Sequence, residues 1–431
     1  NRQAALLNVV DLAGLPASQR ERVLCIEKAR AIAQPFSLSR GGLLRASMFR
    51  LDDETAVLTL TMHHIVSDGW SLNVLVRELL ALYQAELDGE PAALPPLPIH
   101  FGDYAAWQLT QTGRMAADIE FWKERLADAP RLMELPADRV RPAQPSRAGS
   151  LLLDVVPDEL RNRLHGFARD RGVSAFSVLL AAFGTLLSRH AGTNDLVIGT
   201  PVANRERAET TDLVGFFANS IPLRLQLDAS QGVEAMVRRV HSDVMDAMEH
   251  QSAPFERIVD ALDLERSLAY APVFQVMFGL NNTAELPQSI RLPNLEVRLE
   301  DMPTGGAKFD ISVSYSETGE GLLGHWEYSL DLFDHQTVAG LAEGFRTVLD
   351  AMLDAPDLDV ARLPLVSPAE AAAVLEWSSG AAPRARDAHP VEAIGEKAAS
   401  FPDATAIVAG QQSLSYGTLE RLATGLAQRM R

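Results

Sequence analysis

The sequence holds a single cysteine, Cys25, among 431 residues. One thiol cannot build an intramolecular disulfide framework or a multi-cysteine metal site, and it fits a cytoplasmic setting. A basic excess is missing too: 39 lysines and arginines face 57 acidic residues, a net charge of -18 at pH 7. Nucleic acid as the main ligand is thereby excluded, because neutralising phosphates needs a basic face. The longest apolar stretch, Val173 to Ser188, contains Ser174, Ser177, Gly184 and Thr185 and ends in Arg189-His190. It reads as a core helix rather than a membrane span. No secretory signal pattern, solenoid repeat or low-complexity tract is visible. The chain begins at Asn1 in mid-pattern and stops at Arg431 on an amphipathic run, so both ends read as cut.

What is present is globular: 47% apolar and 22% charged residues, in a length that suits two or three domains of about 150 residues. Val57 to Met62 reads as a buried strand that runs straight into His63-His64. After the loop Ile65 to Trp70, Ser71 is the expected cap of a helix that buries Leu72, Leu75, Val76, Leu79, Leu80 and Tyr83. A helical piece around Asp118 to Ala127 precedes a proline-rich join, Pro130 to Gly149. Beyond it, helices are expected at Ser174 to His190, around Val237 to Met248, and at Leu341 to Leu353. Strands are expected at Leu196 to Val202, Ile221 to Leu227, Phe274 to Leu280, Phe309 to Tyr315 and Trp326 to Leu330. Pro222 predicts an edge or a bulge in the second of these. The interleaving points to a layered α/β fold. From about Pro364 the texture becomes that of a linker, and Val391 begins a new unit.

The string with most chemical content is Met62-His63-His64-Ile65-Val66-Ser67-Asp68-Gly69-Trp70-Ser71. Adjacent strand residues point to opposite faces, so only one histidine can serve a given cavity; His64 is in phase with Leu58, Leu60 and Met62. An imidazole at a strand end suits base chemistry near neutral pH, and Asp68 can either orient it or pin the loop by pairing with an arginine. Gly69 allows a tight backbone conformation or a close approach to substrate. On spacing alone, two structural histidines in an ordinary loop remain the plainer account. Two other groupings, Asp334-His335 and His241 with Asp243, read as solvated helix or turn residues, and the sequon Asn281-Asn282-Thr283 carries no weight. Gly319-Glu320-Gly321-Leu322-Leu323-Gly324 matches G-x-G-x-x-G literally, but a strand follows where a dinucleotide site needs a helix, so it reads as a hairpin turn.

The same string resembles the HHxxxDG motif of the condensation domains of nonribosomal peptide synthetases, and further elements follow in that family's order. Phe101 to Trp107 is similar to YxDYAxW, Val214 to Ser220 to IGxFxNT, His250 to Glu256 to HQxxPFE, and Pro272 to Val276 to PLFQV. The likeness covers roughly residues 1 to 366. Phe401 to Val408 and Leu414 to Leu419 resemble the start of an adenylation domain, including its LTYxEL element. The glycine-rich nucleotide loop of that domain is not in the sequence, so no amino-acid activation is expected.

The resemblance implies a chloramphenicol-acetyltransferase-like fold: an amino-terminal half over 1–135 and a carboxy-terminal half over 150–366, each a layered α/β sandwich, forming a V with a central tunnel. A linker over 367–390 and the adenylation start over 391–431 follow. It implies peptide-bond formation between a donor aminoacyl or peptidyl thioester and the α-amino group of an acceptor aminoacyl thioester. The expected partners are an upstream donor carrier domain, a downstream acceptor carrier domain and the adjoining adenylation domain, with no membrane. No cofactor is held permanently and no metal; 4'-phosphopantetheine arrives on the carriers. His64 would act at the middle of the tunnel, as base or as a positioning group, with His63, Asp68 and Gly69 in support, and with Asn219 and Trp70 along the tunnel. Trp107, Trp122 and Tyr83 would be packing residues.

Two early family motifs, SxAQxRLW and RHExLRTxF, are not in the sequence. In the family an arginine of the second pairs with the aspartate matching Asp68, so the resemblance implies that Asp68 lacks its partner. Arg205 and Arg207 are expected on the surface as a docking patch for acidic carriers. The histidine pair, and Asp68-Gly69-Trp70-Ser71 in place of the DGVSW of epimerisation domains, resemble the subtype joining two L-configured residues. Two alternatives stand beside it: a docking scaffold without catalysis, and an acyltransferase of the same fold using coenzyme A thioesters. The adenylation start weighs against the latter.

Overall fold

Alternating apolar residues set the strands and three-four spacing sets the helices of a computed structural model that describes residues 7–264, 267–281, 289–300, 305–319, 321–379 and 389–430. The described chain divides at Ser367-Pro368 into a large unit and a small one.

The large unit opens with β1 (Leu7–Asp11), α1 (Ala17–Ala33), β2 (Leu44–Arg50) and β3 (Ala56–Met62). The three strands form one sheet in the order β1-β2-β3, parallel between the first two and antiparallel between the last two. Three helices follow: α2 (Gly69–Asp88), α3 (Phe101–Thr110) and α4 (Thr112–Leu126). The helix α2 differs from its sequence-based expectation. Its buried residues are Ser71, Val74 and Val76, whereas Leu72, Leu79 and Tyr83 are exposed. The buried stripe is rotated because Asp68 and Ser71, not the leucines, anchor the start of the helix to the rest of the unit.

Next come β4 (Gly149–Pro157), α5 (Asp158–Arg171), α6 (Ala175–Ala191), β5 (Asp195–Val202), β6 (Asn219–Gln226), α7 (Val233–Glu249), α8 (Phe255–Ala261) and β7 (Val276–Asn281). A small hairpin, β8 (Ser289–Leu292) with β9 (Leu295–Arg298), precedes β10 (Ile311–Thr318), β11 (Gly321–Ser329) and α9 (His335–Asp354). Six of these strands form a mixed sheet in the order β4-β11-β10-β7-β5-β6. The strand β6 lies at its edge, as Pro222 requires.

The expected core helix is α6, in which every residue from Ser177 to Ser188 is buried. A helix apolar all round belongs inside. Each of Leu179, Leu180, Phe183, Leu186 and Leu187 contributes about 1.5–3 kcal/mol by leaving water. Its polar residues are bonded: the Thr185 hydroxyl donates to the Ala181 carbonyl at 2.8 Å and the Ser188 hydroxyl to Thr193 at 2.7 Å. Trp122, Leu126 and Met133 belong to the same buried cluster as α6. Although α4 precedes the proline-rich join, it therefore packs with the core built by the residues after it. Among the described residues no single helix is long and apolar enough to cross a membrane.

The literal G-x-G-x-x-G string is a hairpin end. Thr318 pairs with Gly321 across the antiparallel β10 and β11, and Glu320 lies outside the described residues, as do Asn282 and Thr283 of the sequon. Gly321 has φ +135°, and a β-carbon there would stand 2.1 Å from the Val156 carbonyl oxygen.

The small unit contains α10 (Pro368–Ser378), α11 (Pro390–Ser400), the antiparallel pair β12 (Thr405–Ala409) and β13 (Gln412–Ser415), and α12 (Tyr416–Met430). The Tyr416 N–H donates to Ala404 at 2.9 Å and Gly417 to Pro402 at 2.8 Å, which ties the start of α12 to the segment before β12.

Because the glycine string serves a turn, Gly321→Ala should lower stability by about 1–3 kcal/mol or more through backbone strain. Gly319→Ala, where a methyl meets nothing within 4 Å, should unfold like the parent in a denaturant titration.

Candidate active site

The end of β3 delivers the two histidines into a single 3-10 turn, His64–Val66. His63 starts that turn by accepting the Ile65 N–H at its Nδ1, 3.1 Å away, and its ring meets Phe36 edge-on. His64 places Nδ1 2.7 Å from the Ser67 carbonyl oxygen. A carbonyl only accepts, so Nδ1 carries the hydrogen, and in the neutral ring Nε2 is left with a free lone pair. Phe216 packs edge-on against the His64 ring, with centroids 5.1 Å apart at 78°. His64 is exposed, which corrects the expectation of an imidazole enclosed at a buried meeting point. The turn carries it outward from the strand end, while Ser67 and Asp68 are the buried residues of the string.

Asp68, not Ser71, caps α2. Its Oδ1 accepts the Ser71 N–H at 2.8 Å and the Ser71 hydroxyl at 2.6 Å. Its Oδ2 accepts the N–H groups of Phe217 at 3.0 Å and Ala218 at 3.3 Å. Arg205 Nη2 completes the set, 3.1 Å from Oδ1 and 3.3 Å from Oδ2. Asp68 therefore has a cationic partner, contrary to the expectation drawn from the unmatched early motif. Arg205 is correspondingly withdrawn from the surface: its side chain is 2% exposed, so it cannot form the expected docking patch. Arg207 remains exposed, with its guanidinium 4.3 Å over the Trp107 ring.

The two partners of this pair fare differently. Burial, the largest influence on Asp68, works to raise its pKa. Bonds from the Ser71 hydroxyl and from the N–H groups of Ser71 and Phe217, with the Arg205 charge, outweigh it and hold the carboxyl below its ordinary value. For Arg205 burial prevails over the attraction of Asp68 and lowers the pKa. The asymmetry matches the bonding, since Arg205 Nε is buried with no hydrogen-bond partner.

Ser71 extends the clamp by accepting the Gly215 N–H at 3.1 Å, and Trp70 donates its indole N–H to Thr211 at 2.8 Å. Arg77 pairs with Asp212 at 2.6 Å. Around this seam, the sequence elements acquire physical roles. Asp103 closes the capping box of α3, and Tyr104 buries itself with Leu213 and Phe217. Asn219 donates to Gln251 at 2.9 Å and Ala253 at 2.7 Å and accepts from Phe255 at 3.1 Å. Asn219 and Trp70, expected along a tunnel, thus have their polar groups engaged in bracing loops. The loop held by Asn219 is fixed again by Asp118, which meets His250 Nδ1 at 2.8 Å and accepts the Ser252 hydroxyl.

Of the two roles expected for Gly69, the tight backbone conformation is not seen. Its φ is not in the left-handed region, and a β-carbon there would meet nothing within 4 Å. The fold does not require glycine here. Of the other histidine groupings, Asp334-His335 is exposed at the start of α9, as expected, with Asp334 paired to Arg139, whereas His241 and Asp243 are half-buried: His241 lies 3.1 Å from the Ser177 hydroxyl and Asp243 pairs with Arg125. Residues missed by sequence reasoning are Arg205 as the cation of the clamp, Ser71 as a bridge, and Phe216. Arg205 lies 137 positions from Asp68, so no local spacing connects them. The usable signal was chemical: a buried aspartate calls for a cation.

With this geometry in hand, the six-stranded mixed sheet and the flanking helices define a chloramphenicol-acetyltransferase-like fold. The family model described as "Condensation domain" matches residues 1–375, and the chain belongs to that family. Phosphinothricin tripeptide synthetase PhsB of Streptomyces viridochromogenes is 39% identical over 97% of this chain, which spans 36% of that protein. A linear gramicidin synthase of Brevibacillus parabrevis is 36% identical over 97% of this chain, which spans 5% of it. Among solved structures, the X-domain from teicoplanin biosynthesis is 29% identical with a TM-score of 0.75, covering 83% of this chain and 81% of its own. A four-domain nonribosomal peptide synthetase bound to AMP and glycine matches in fold, with a TM-score of 0.83 over 100% of this chain and 33% of its own.

Removing the Asp68 carboxylate strands Arg205 in the interior, so Asp68→Ala should lose about 3–5 kcal/mol of stability in denaturant unfolding. The depressed pKa gives this contribution a sign in pH: full above the unfolded aspartate value of about 3.9, it is lost as pH falls through the lower folded value. The melting-temperature gap between the parent and Asp68→Asn should therefore narrow in acid. Gly69→Ala should melt no lower than the parent, and any loss of turnover in it then reports on substrate approach.

Proposed function

We propose that the chain is the condensing portion of a nonribosomal peptide synthetase. In this reading it joins a donor aminoacyl or peptidyl thioester to the α-amino group of an acceptor aminoacyl thioester, both presented on 4'-phosphopantetheine arms of carrier domains. The observation that carries the reading is the fixed tautomer of the exposed His64: Nδ1 is held by Ser67, so Nε2 keeps a lone pair for an incoming amine. The amine nitrogen forms a bond to the thioester carbon, the carbon–sulfur bond breaks, and the amine proton passes by way of Nε2 to the departing thiolate. Thioesters are already activated, so orientation can supply about 7–11 kcal/mol, against roughly 10²–10⁴-fold from proton transfer. The supporting residues are Asp68, which locks the loop, and His63, which starts the turn.

The relatives align over nearly the whole chain, the small unit included, and this supports reading 391–431 as the beginning of an adenylation domain. Asp68-Gly69-Trp70-Ser71 supports the subtype that joins two L-configured residues. A second reading, a binding domain without catalysis, draws on the likeness to the teicoplanin X-domain. Both histidines and the intact clamp favour catalysis over it.

The test loads donor and acceptor carrier domains with defined aminoacyl groups and follows dipeptide by mass spectrometry. His64→Ala should lower the rate by about 10²–10⁴-fold while melting temperature and carrier binding hold. His64→Gln, which keeps a hydrogen-bonding group, should recover part of the rate if His64 mainly positions the amine. Undiminished product from His64→Ala overturns the reading.

A further inference from the structure

Phe216 is used by neither the clamp nor the fold. It is 42% exposed, an unusual place for a phenylalanine set in a segment bonded on both sides. On one side, Gly215 donates to Ser71 at 3.1 Å, and a β-carbon at Gly215 would stand 2.3 Å from the Phe101 ring. On the other, Phe217 and Ala218 donate to Asp68, and the Phe217 ring is buried against Tyr104 and under the Arg205 guanidinium. With Phe217 anchored inward, Phe216 is turned outward and presented rigidly beside His64. A large apolar ring held in water next to a reactive imidazole gains most when something apolar covers it.

We propose that Phe216 selects the aminoacyl group that reacts at His64, by apolar contact with its side chain. The choice of aminoacyl ligand rests on the condensation reading above. The ring forms one wall beside the His64 imidazole, so an aliphatic or aromatic side chain covers it and a small or charged one does not. One methylene more or less in an apolar pocket discriminates by roughly 10–200-fold.

Two measurements test this, on the chain as it stands, with Phe216→Ala and Phe216→Leu. In the first, mixtures of alanyl, leucyl and phenylalanyl thioesters compete on one carrier while the other carries glycine, and then the sides are exchanged. In the second, calorimetry gives the affinities of stable amide analogues of the same aminoacyl-pantetheine groups. Phe216→Ala should change the leucyl-to-alanyl ratio about tenfold on one side only, with Phe216→Leu retaining most of the preference; the responding side identifies donor or acceptor. A uniform fall in rate for every side chain, with the ratios kept, would mean that Phe216 merely supports His64 and overturns the proposal. If the parent makes no dipeptide but its binding preference is lost in Phe216→Ala, the proposal stands and the condensation reading falls. Identical binding preferences in parent and variant overturn the proposal whatever the turnover.

Discussion

A buried ion pair between residues 137 positions apart, Asp68 and Arg205, is the interaction on which the site depends. Taking two charges out of water is expensive, and a pair so buried gains little net stability over apolar packing. What it supplies is register. One carboxylate satisfies donors from the start of α2, from the Phe217-Ala218 backbone and from Arg205, so α2 and two segments far along the chain share a single anchor. The tight set of acceptor bonds also explains why Asp68 stays ionised in spite of its burial, and why the strain of burial falls on Arg205.

A second anchor repeats the logic with neutral and charged groups mixed. Asn219, the first residue of β6, uses its whole amide to hold the loop from Gln251 to Phe255, and Asp118 on α4 grips His250 and Ser252 in that same loop. Phe121 stacks on the His250 ring at 3.9 Å. The Gly215–Asn219 segment therefore has Asp68 fastening its middle and the second loop fastening its end. Of this run, Phe216 is the ring left beside His64.

Much of this architecture was legible in the sequence. Strong patterns gave the buried helix α6, the edge placement of β6 through Pro222, and the hairpin nature of the glycine string, because each depends on local chemistry. The face of α2 was not legible: its leucines form a good apolar stripe, but the buried stripe is chosen by Asp68 and Ser71, whose partners lie far along the chain. Arg205 was misread for the same reason. An arginine in Asn204-Arg205-Glu206-Arg207 looks like surface charge until the buried carboxylate it serves is known.

The exposed position of His64 follows from the same division of labour. Rigidity is supplied beneath it, where Ser67 and Asp68 are buried, so the imidazole itself need not be. In the proposed condensation, a proton acceptor for two tethered reactants must be reachable, and an Nδ1 held by Ser67 fixes the ring's orientation without enclosing it. An open, oriented lone pair matches a reaction whose substrates arrive activated, since positioning can supply more of the barrier reduction than basicity. Under that proposal the clamp matters to chemistry through geometry: it sets where the ring stands, and the ring would set where the amine stands.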